Sequence, residues 1–222
     1  MLAEIRLICA KDLRMELRSK VTIAHVLPFV IAVVMVFAFA LDTDSVTLRR
    51  VGSAVFWVTV VFAAHLLVHR SAHVEKLNGV SDALRLSTVR PSSVFLGKTL
   101  ALFIQLTLVE VLLSIVMITM YNLLVDGVAL ILLATPLATL AIAAAGSIYG
   151  PLAAGDGARE TLLPLLLVPS LIPVLLAASR AFEISFGRAV GAGWQWLGLV
   201  GMLDVLYLVV GSVTAAVLLE ET

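Results

Sequence analysis

The stretch HVEKLNGVSDALRLSTVRPSSVFLGK, residues 73–98, is the longest polar run in a chain of 222 residues that is 61% hydrophobic. Apolar segments, 51–69 and 95–121, flank it on both sides. Asn78-Gly79 and Arg90-Pro91 break helical structure inside it. A polar, turn-rich interruption between two lipid-like segments reads as a loop that leaves the membrane between two spans.

Working outward, a span needs about 20 mostly apolar residues. Six segments qualify, at 21–41, 51–69, 95–121, 128–150, 162–179 and 196–219. Hydrocarbon offers no partner for backbone polar groups, so each is expected to be a helix. Only 14% of residues are charged, against about 25% in soluble domains. Mean hydropathy is +1.11. The fold class is therefore all-α integral membrane, with six transmembrane helices in a single transmembrane domain over 1–222. The net charge of zero leaves no nucleic-acid footprint. The lone cysteine, Cys9, excludes an intrachain disulfide and a C-x-x-C-H haem attachment.

The first twenty residues, MLAEIRLICAKDLRMELRSK, lack the long apolar core of a cleavable leader. Leu2, Ile5, Ile8, Leu13 and Leu17 fall near one helical face, with Lys11, Arg14 and Arg18 elsewhere. This pattern predicts an amphipathic helix at the membrane interface, the other reading being an ordinary helical extension of the first span. Orientation follows from Lys and Arg. The N-terminal segment and the second and fourth connections carry eleven basic residues, against four (Arg49, Arg50, Arg180, Arg188) on the other side. Both termini are thus expected in the cytoplasm, and 70–94 becomes a cytoplasmic loop. Trp194 and Trp196 fall at the outer interface. The external connection 180–195 is apolar enough to lie along the membrane surface.

Within the loop, Val74, Leu77, Val80 and Leu84 recur at spacings of three and four, as on one face of a short helix. Two readings fit: a knob for a soluble partner, or a helix resting on lipid. Gly97-Lys98-Thr99 imitates the end of a phosphate-binding loop, but Ser92 stands where that motif needs glycine. Lys98 is expected to reach for the headgroups.

The basic KDLRMELRSK before the first span and the run GVSDALRLSTVRPSSVFLGK (79–98) resemble CcmB, the permease family of the haem-handling ABC system for cytochrome c maturation. ATPLATLAIAAAGSIYGPLAAG (134–155) and RETLLPLLLVPSLIPVLLAA (159–178) are similar to the same family. An acidic cluster often precedes the family's loop glycine; here Glu75 stands alone beside Lys76. The resemblance implies a non-catalytic subunit of the inner (plasma) membrane, working as a homodimer on a CcmA-like ATP-binding subunit that holds ATP-Mg. It implies a coupling helix between spans 2 and 3, docking through Glu75, Gly79, Leu84 and Arg85. A second contact is expected at Asp156, Arg159 and Glu160. It also implies CcmC- and CcmD-like membrane subunits, a CcmE-like haem chaperone, and haem as cargo, with no cofactor bound by this chain. Another ABC-2 permease, for a drug, lipid or polysaccharide, would share the loop. An ion-coupled carrier would show broken helices in both halves, whereas prolines cluster here in one span, at 164, 169 and 173.

Three intramembrane polar residues are candidates for a transport path: Gln105 and Glu110 in the third span, and Asp204 in the sixth. Gln105 is expected to share the network of Glu110. His65, His69 and His73, four residues apart, form a stripe on one helical face. They read either as metal or haem ligands or, with more weight, as an interfacial polar stripe. No carboxylate or thiol accompanies them in sequence, so no metal site is expected. The proline-rich fifth span and the small-residue run Ala141–Gly146 read as a hinge or as close packing.

Overall fold

The computed structural model describes residues 1–20, 22–41, 45–77, 89–123, 126–152, 162–187, 191 and 193–221. Seven α-helices occur among them: α1 (Leu2–Ser19), α2 (Leu27–Ala40), α3 (Ser45–Leu77), α4 (Pro91–Tyr121), α5 (Val128–Leu152), α6 (Leu162–Ser185) and α7 (Trp194–Glu221). Five of them, α3 to α7, are each long and apolar enough to cross a membrane.

The expected span at 21–41 is helical from Thr22 to Ala40. It is divided into a π-helical turn, Thr22–Val26, followed by α2 of only 14 residues. Turn and helix together run without interruption from Thr22 to Ala40, about 28 Å at roughly 1.5 Å per residue, close to a hydrocarbon core of about 30 Å. Pro28 sits in the first turn of α2, where its missing N–H costs nothing. Placed further inside one continuous helix it would leave a carbonyl unpaired. A sixth span exists only if Leu2–Ser19 and Ala24–Ala40, bent by 56°, are counted as one. The α1 end itself is well defined: Lys20 adopts a left-handed conformation (φ 53°) and its N–H donates to Glu16 O at 2.8 Å. Glu16 also accepts from the Thr22 N–H through its side chain, tying the turn to α1.

Elsewhere the helices outrun the expected spans. α3 has 33 residues and α4 has 31, about 50 and 47 Å of helix. Both therefore project past the hydrocarbon. Arg90 is extended (φ −66°, ψ 132°) and Pro91 occupies the first turn of α4, so Arg90-Pro91 sets the start of that span as its chemistry requires. Residues 180–185, expected in a surface segment, instead continue α6. That helix runs on through Pro169 and Pro173. Its end is held by the α4–α5 connection: the N–H groups of Asp126 and Gly127 both donate to Ser185 O at 2.9 Å.

The core is built around the alanine-rich middle of α5. Ala138, Ala141, Ile142, Ala143, Ala144 and Ala145 are fully enclosed. Small side chains let neighbours approach closely. A Cβ on Gly146 would lie 2.8 Å from Val68 of α3 and 3.0 Å from Leu102 of α4. The Ala141–Gly146 run thus supports close packing, and at Gly146 the neighbours are α3 and α4. On α7, a Cβ at Gly211 would lie 2.1 Å from the ring of Phe95. Phe56 and Trp57 of α3 stack with Phe182 of α6 at centroid distances of 5.3 and 5.1 Å. The Tyr121 hydroxyl, fully buried, donates to Val34 O at 3.0 Å and joins α4 to α2. α3 is the most enclosed of the five long helices and α7 the most peripheral.

Candidate functional site

The chain leaves α3 at Leu77 and re-enters α4 at Pro91, so the loop has two roots. α1 packs on the α4 root and reaches the α3 root through Lys11. Ile8 of α1 packs on Gly97 of α4, where an added Cβ would stand 2.7 Å from Ile8 Cβ and 3.0 Å from Ile5 O. No side chain fits there, which is why glycine precedes Lys98.

Glu75, one turn before the loop, is 5% exposed. Lys11 Nζ of α1 donates to its Oε1 at 3.1 Å, and Lys98 Nζ of α4 donates to its Oε2. Lys11 also contacts Asp12 Oδ1 at 2.9 Å. Two lysines and two carboxylates thus close on each other, joining three helices with no net charge. Burial is the largest influence on Asp12 and pushes its carboxyl above the usual range, against the pull of Lys11. A buried carboxylate needs partners for each oxygen, and Glu75 has them within its own chain. Lys98 accordingly reaches across to α3 rather than out to the headgroups. The family resemblance gives Glu75 a docking role; in the structure its side chain lies inside the root of the loop. Gly79, Leu84 and Arg85, and likewise Asp156, Arg159 and Glu160, lie outside the described residues.

Deeper in the bundle, Glu110 of α4 is buried and its partner is Thr139 of α5, with Thr139 Oγ1 2.7 Å from each carboxyl oxygen. Gln105 is half-buried and does not join them. Nothing near Glu110 in sequence marks Thr139, 29 residues away. Asp204 of α7 is buried, and neither carboxyl oxygen has a hydrogen-bond partner among the described residues. Tyr207, one turn on, donates to Ser170 O of α6. The polar residues of the spans therefore do not gather into one site.

The histidine stripe runs along α3. The rings of His65 and His69 are 6.2 Å apart. His65 is half-buried with its Nδ1 unpartnered, while His69 and His73 are exposed. Among the described residues no three His, Cys, Asp or Glu side chains converge as metal ligands would.

An all-helical chain of long apolar helices, with an amphipathic α1 tied to both roots of a polar loop, is matched over residues 3–221 by the family model described as CcmB protein. The chain belongs to the CcmB family. It is 27% identical over 207 residues to heme exporter protein B of Haemophilus influenzae, covering 93% of this chain and 90% of that protein. It is also 27% identical over 179 residues to heme exporter protein B of Pseudomonas aeruginosa, covering 81% and 80% respectively. The CcmB match spans both the KDLRMELRSK and the 79–98 runs.

Proposed function

We propose that this chain is the membrane permease subunit of a haem exporter serving c-type cytochrome biogenesis, in the inner membrane with both termini in the cytoplasm. The match over residues 3–221, with relatives named heme exporter protein B, is the observation that carries this reading. The chain is a single permease domain and acts as a homodimer. ATP is hydrolysed in trans by a CcmA-like subunit that docks on the cytoplasmic loop through Gly79, Leu84 and Arg85, with a smaller contact at Asp156, Arg159 and Glu160. Haem is the cargo of the complex, and CcmC-, CcmD- and CcmE-like proteins are its other partners.

The loop-root cluster gives this reading a physical route. A force applied to residues 78–88 reaches α3 through Leu77 and α4 through Pro91. Because Glu75 is held by Lys98 and Lys11, the two roots and α1 move together instead of flexing apart. Glu75 then serves docking from inside, by keeping the loop's base stiff. The membrane spans respond as rigid rods, which is how interface motions become alternating access.

The test is affinity purification of the tagged chain from its own membranes in mild detergent, followed by mass spectrometry. Wild type is expected to carry an ABC ATPase and haem-handling membrane proteins. A Gly79→Pro/Arg85→Glu variant is expected to lose the ATPase and keep its fold. An ATPase without haem proteins would leave a permease of another cargo; no ATPase even after crosslinking would remove the docking reading altogether.

A further inference from the structure

We propose that the outward face of α1 is a binding surface for the headgroups of anionic phospholipids, held by Arg6, Arg14 and Arg18. The three arginines are exposed, and none makes an ion pair among the described residues. Between them stand Leu2, Leu7 and Leu17, exposed to 79%, 70% and 73%. On one helix, bare leucines interleaved with bare arginines are costly in water and equally costly in hydrocarbon. They are satisfied at one depth, where acyl chains take the leucines and phosphates take the guanidinium groups.

The packing puts α1 at that depth. It reaches α3 at Glu75 and packs on α4 at Gly97, near the ends of two helices that outrun the hydrocarbon. The opposite face of α1 is committed inward: Ile8, Cys9 and Asp12 are buried, and Lys11 is bonded to Glu75. This fixes the rotation of the helix and leaves the arginines without an acidic partner among the described residues. An anionic surface supplies the opposite charge, and the leucines favour a lipid surface over a water-facing protein. A basic residue near an anionic surface gains about 1 kcal/mol, or roughly fivefold in association. The inference stands apart from the transport reading, since it needs no ATPase and no haem.

The experiment uses the full chain with Cys9→Ala and Leu7→Cys, labelled with an environment-sensitive fluorophore. It is reconstituted in nanodiscs of phosphatidylcholine alone or of an equimolar mixture with phosphatidylglycerol. The expected result is a blue-shifted emission, quenched by nitroxide lipid, that is stronger in the anionic discs and weakens in high salt. In parallel, spin-labelled phosphatidylglycerol should associate in preference to spin-labelled phosphatidylcholine. That preference should fall roughly fivefold for each of Arg6→Gln, Arg14→Gln and Arg18→Gln. The corresponding Arg→Lys triple variant should retain it, which separates charge from folding. Equal emission in both lipids overturns the proposal, as does a triple Gln variant that keeps the preference. A label that stays in water until a cytosolic protein is added overturns it too, and assigns the face to that protein.

Discussion

Thr139 Oγ1 lies 2.7 Å from both carboxyl oxygens of Glu110 and also 2.7 Å from Thr135 O. A hydroxyl has one proton to donate. If it goes to Thr135 O, as the position one turn back favours, the contact with Glu110 is a hydrogen bond only when Glu110 donates. The pair then acts as a neutral staple between α4 and α5. Glu110→Gln, which keeps a donor, should change detergent-solubilised stability by less than about 1 kcal/mol, whereas Glu110→Ala also removes a buried side chain and should cost about 2–4 kcal/mol. Thermal unfolding of the purified chain decides it. A Gln variant as damaged as the Ala variant would mean that the ionised carboxylate is required.

The loop-root cluster predicts a different pattern. Glu75→Ala leaves Lys98 and Lys11 facing each other without the carboxylate that joins them. Breaking a fully buried pair costs about 3–5 kcal/mol. Here the lysines are 20% and 31% exposed and can turn to water, so about 1–3 kcal/mol is expected. The charge reversal Glu75→Lys with Lys98→Glu should recover part of that loss, while either change alone should not. A double-mutant cycle by thermal unfolding measures the coupling, and additive single effects would show that the two side chains do not act as a pair.

Asp12 should behave in the opposite sense. Its carboxyl is raised chiefly by burial, so its folded value lies above its unfolded one. Its contribution is then most favourable below the unfolded value and is lost as pH rises through the folded value. At neutral pH the charged form opposes folding. Asp12→Asn is accordingly expected to be at least as stable as wild type near pH 7.5, with wild type gaining on it as pH falls into the carboxylate range. Melting curves of both proteins across that range test the sign. A wild-type advantage that grows toward high pH would show that the pairing with Lys11 outweighs burial.

These side chains also show what the sequence could and could not tell. The five long helices are legible because hydropathy is a local property and each span carries its own signal. Arg90-Pro91 is legible for the same reason, since proline restricts the residue before it. The 56° bend between α1 and the helix that follows is not, because only the tertiary position of α1 makes a turn necessary. The family resemblance points to Glu75 as a docking residue, but its partner Lys11 is 64 residues away. No periodicity connects positions that meet by folding. Thr139 was missed because a threonine in an apolar helix is ordinary until a carboxyl is seen opposite it. On α1 the sequence groups Leu2 and Leu17 with Ile5 and Ile8, whereas the structure buries Ile8 and leaves Leu2 and Leu17 exposed like Arg14 and Arg18.

The docking of α1 can be followed through the single native thiol. Cys9 is buried, one residue from Ile8, whose Cβ and Cγ2 would stand 2.7 and 2.8 Å from a Cβ at position 97. Gly97→Ala must therefore push α1 away from α4. Ile8 cannot yield, because the Ile5 carbonyl behind it would be 3.0 Å from the same atom. Overpacking of this kind costs about 1–3 kcal/mol, and the cost falls on the α1 contact before the rest of the bundle. The opening that exposes Cys9 should become about 5- to 150-fold more populated, with global unfolding little changed. Maleimide labelling of the folded protein reads this directly: Gly97→Ala should label faster than wild type, and Glu75→Ala should as well, since both release the same helix. If Gly97→Ala labels at the wild-type rate while its melting temperature falls, the strain is spread through the bundle and α1 is not an independently opening unit.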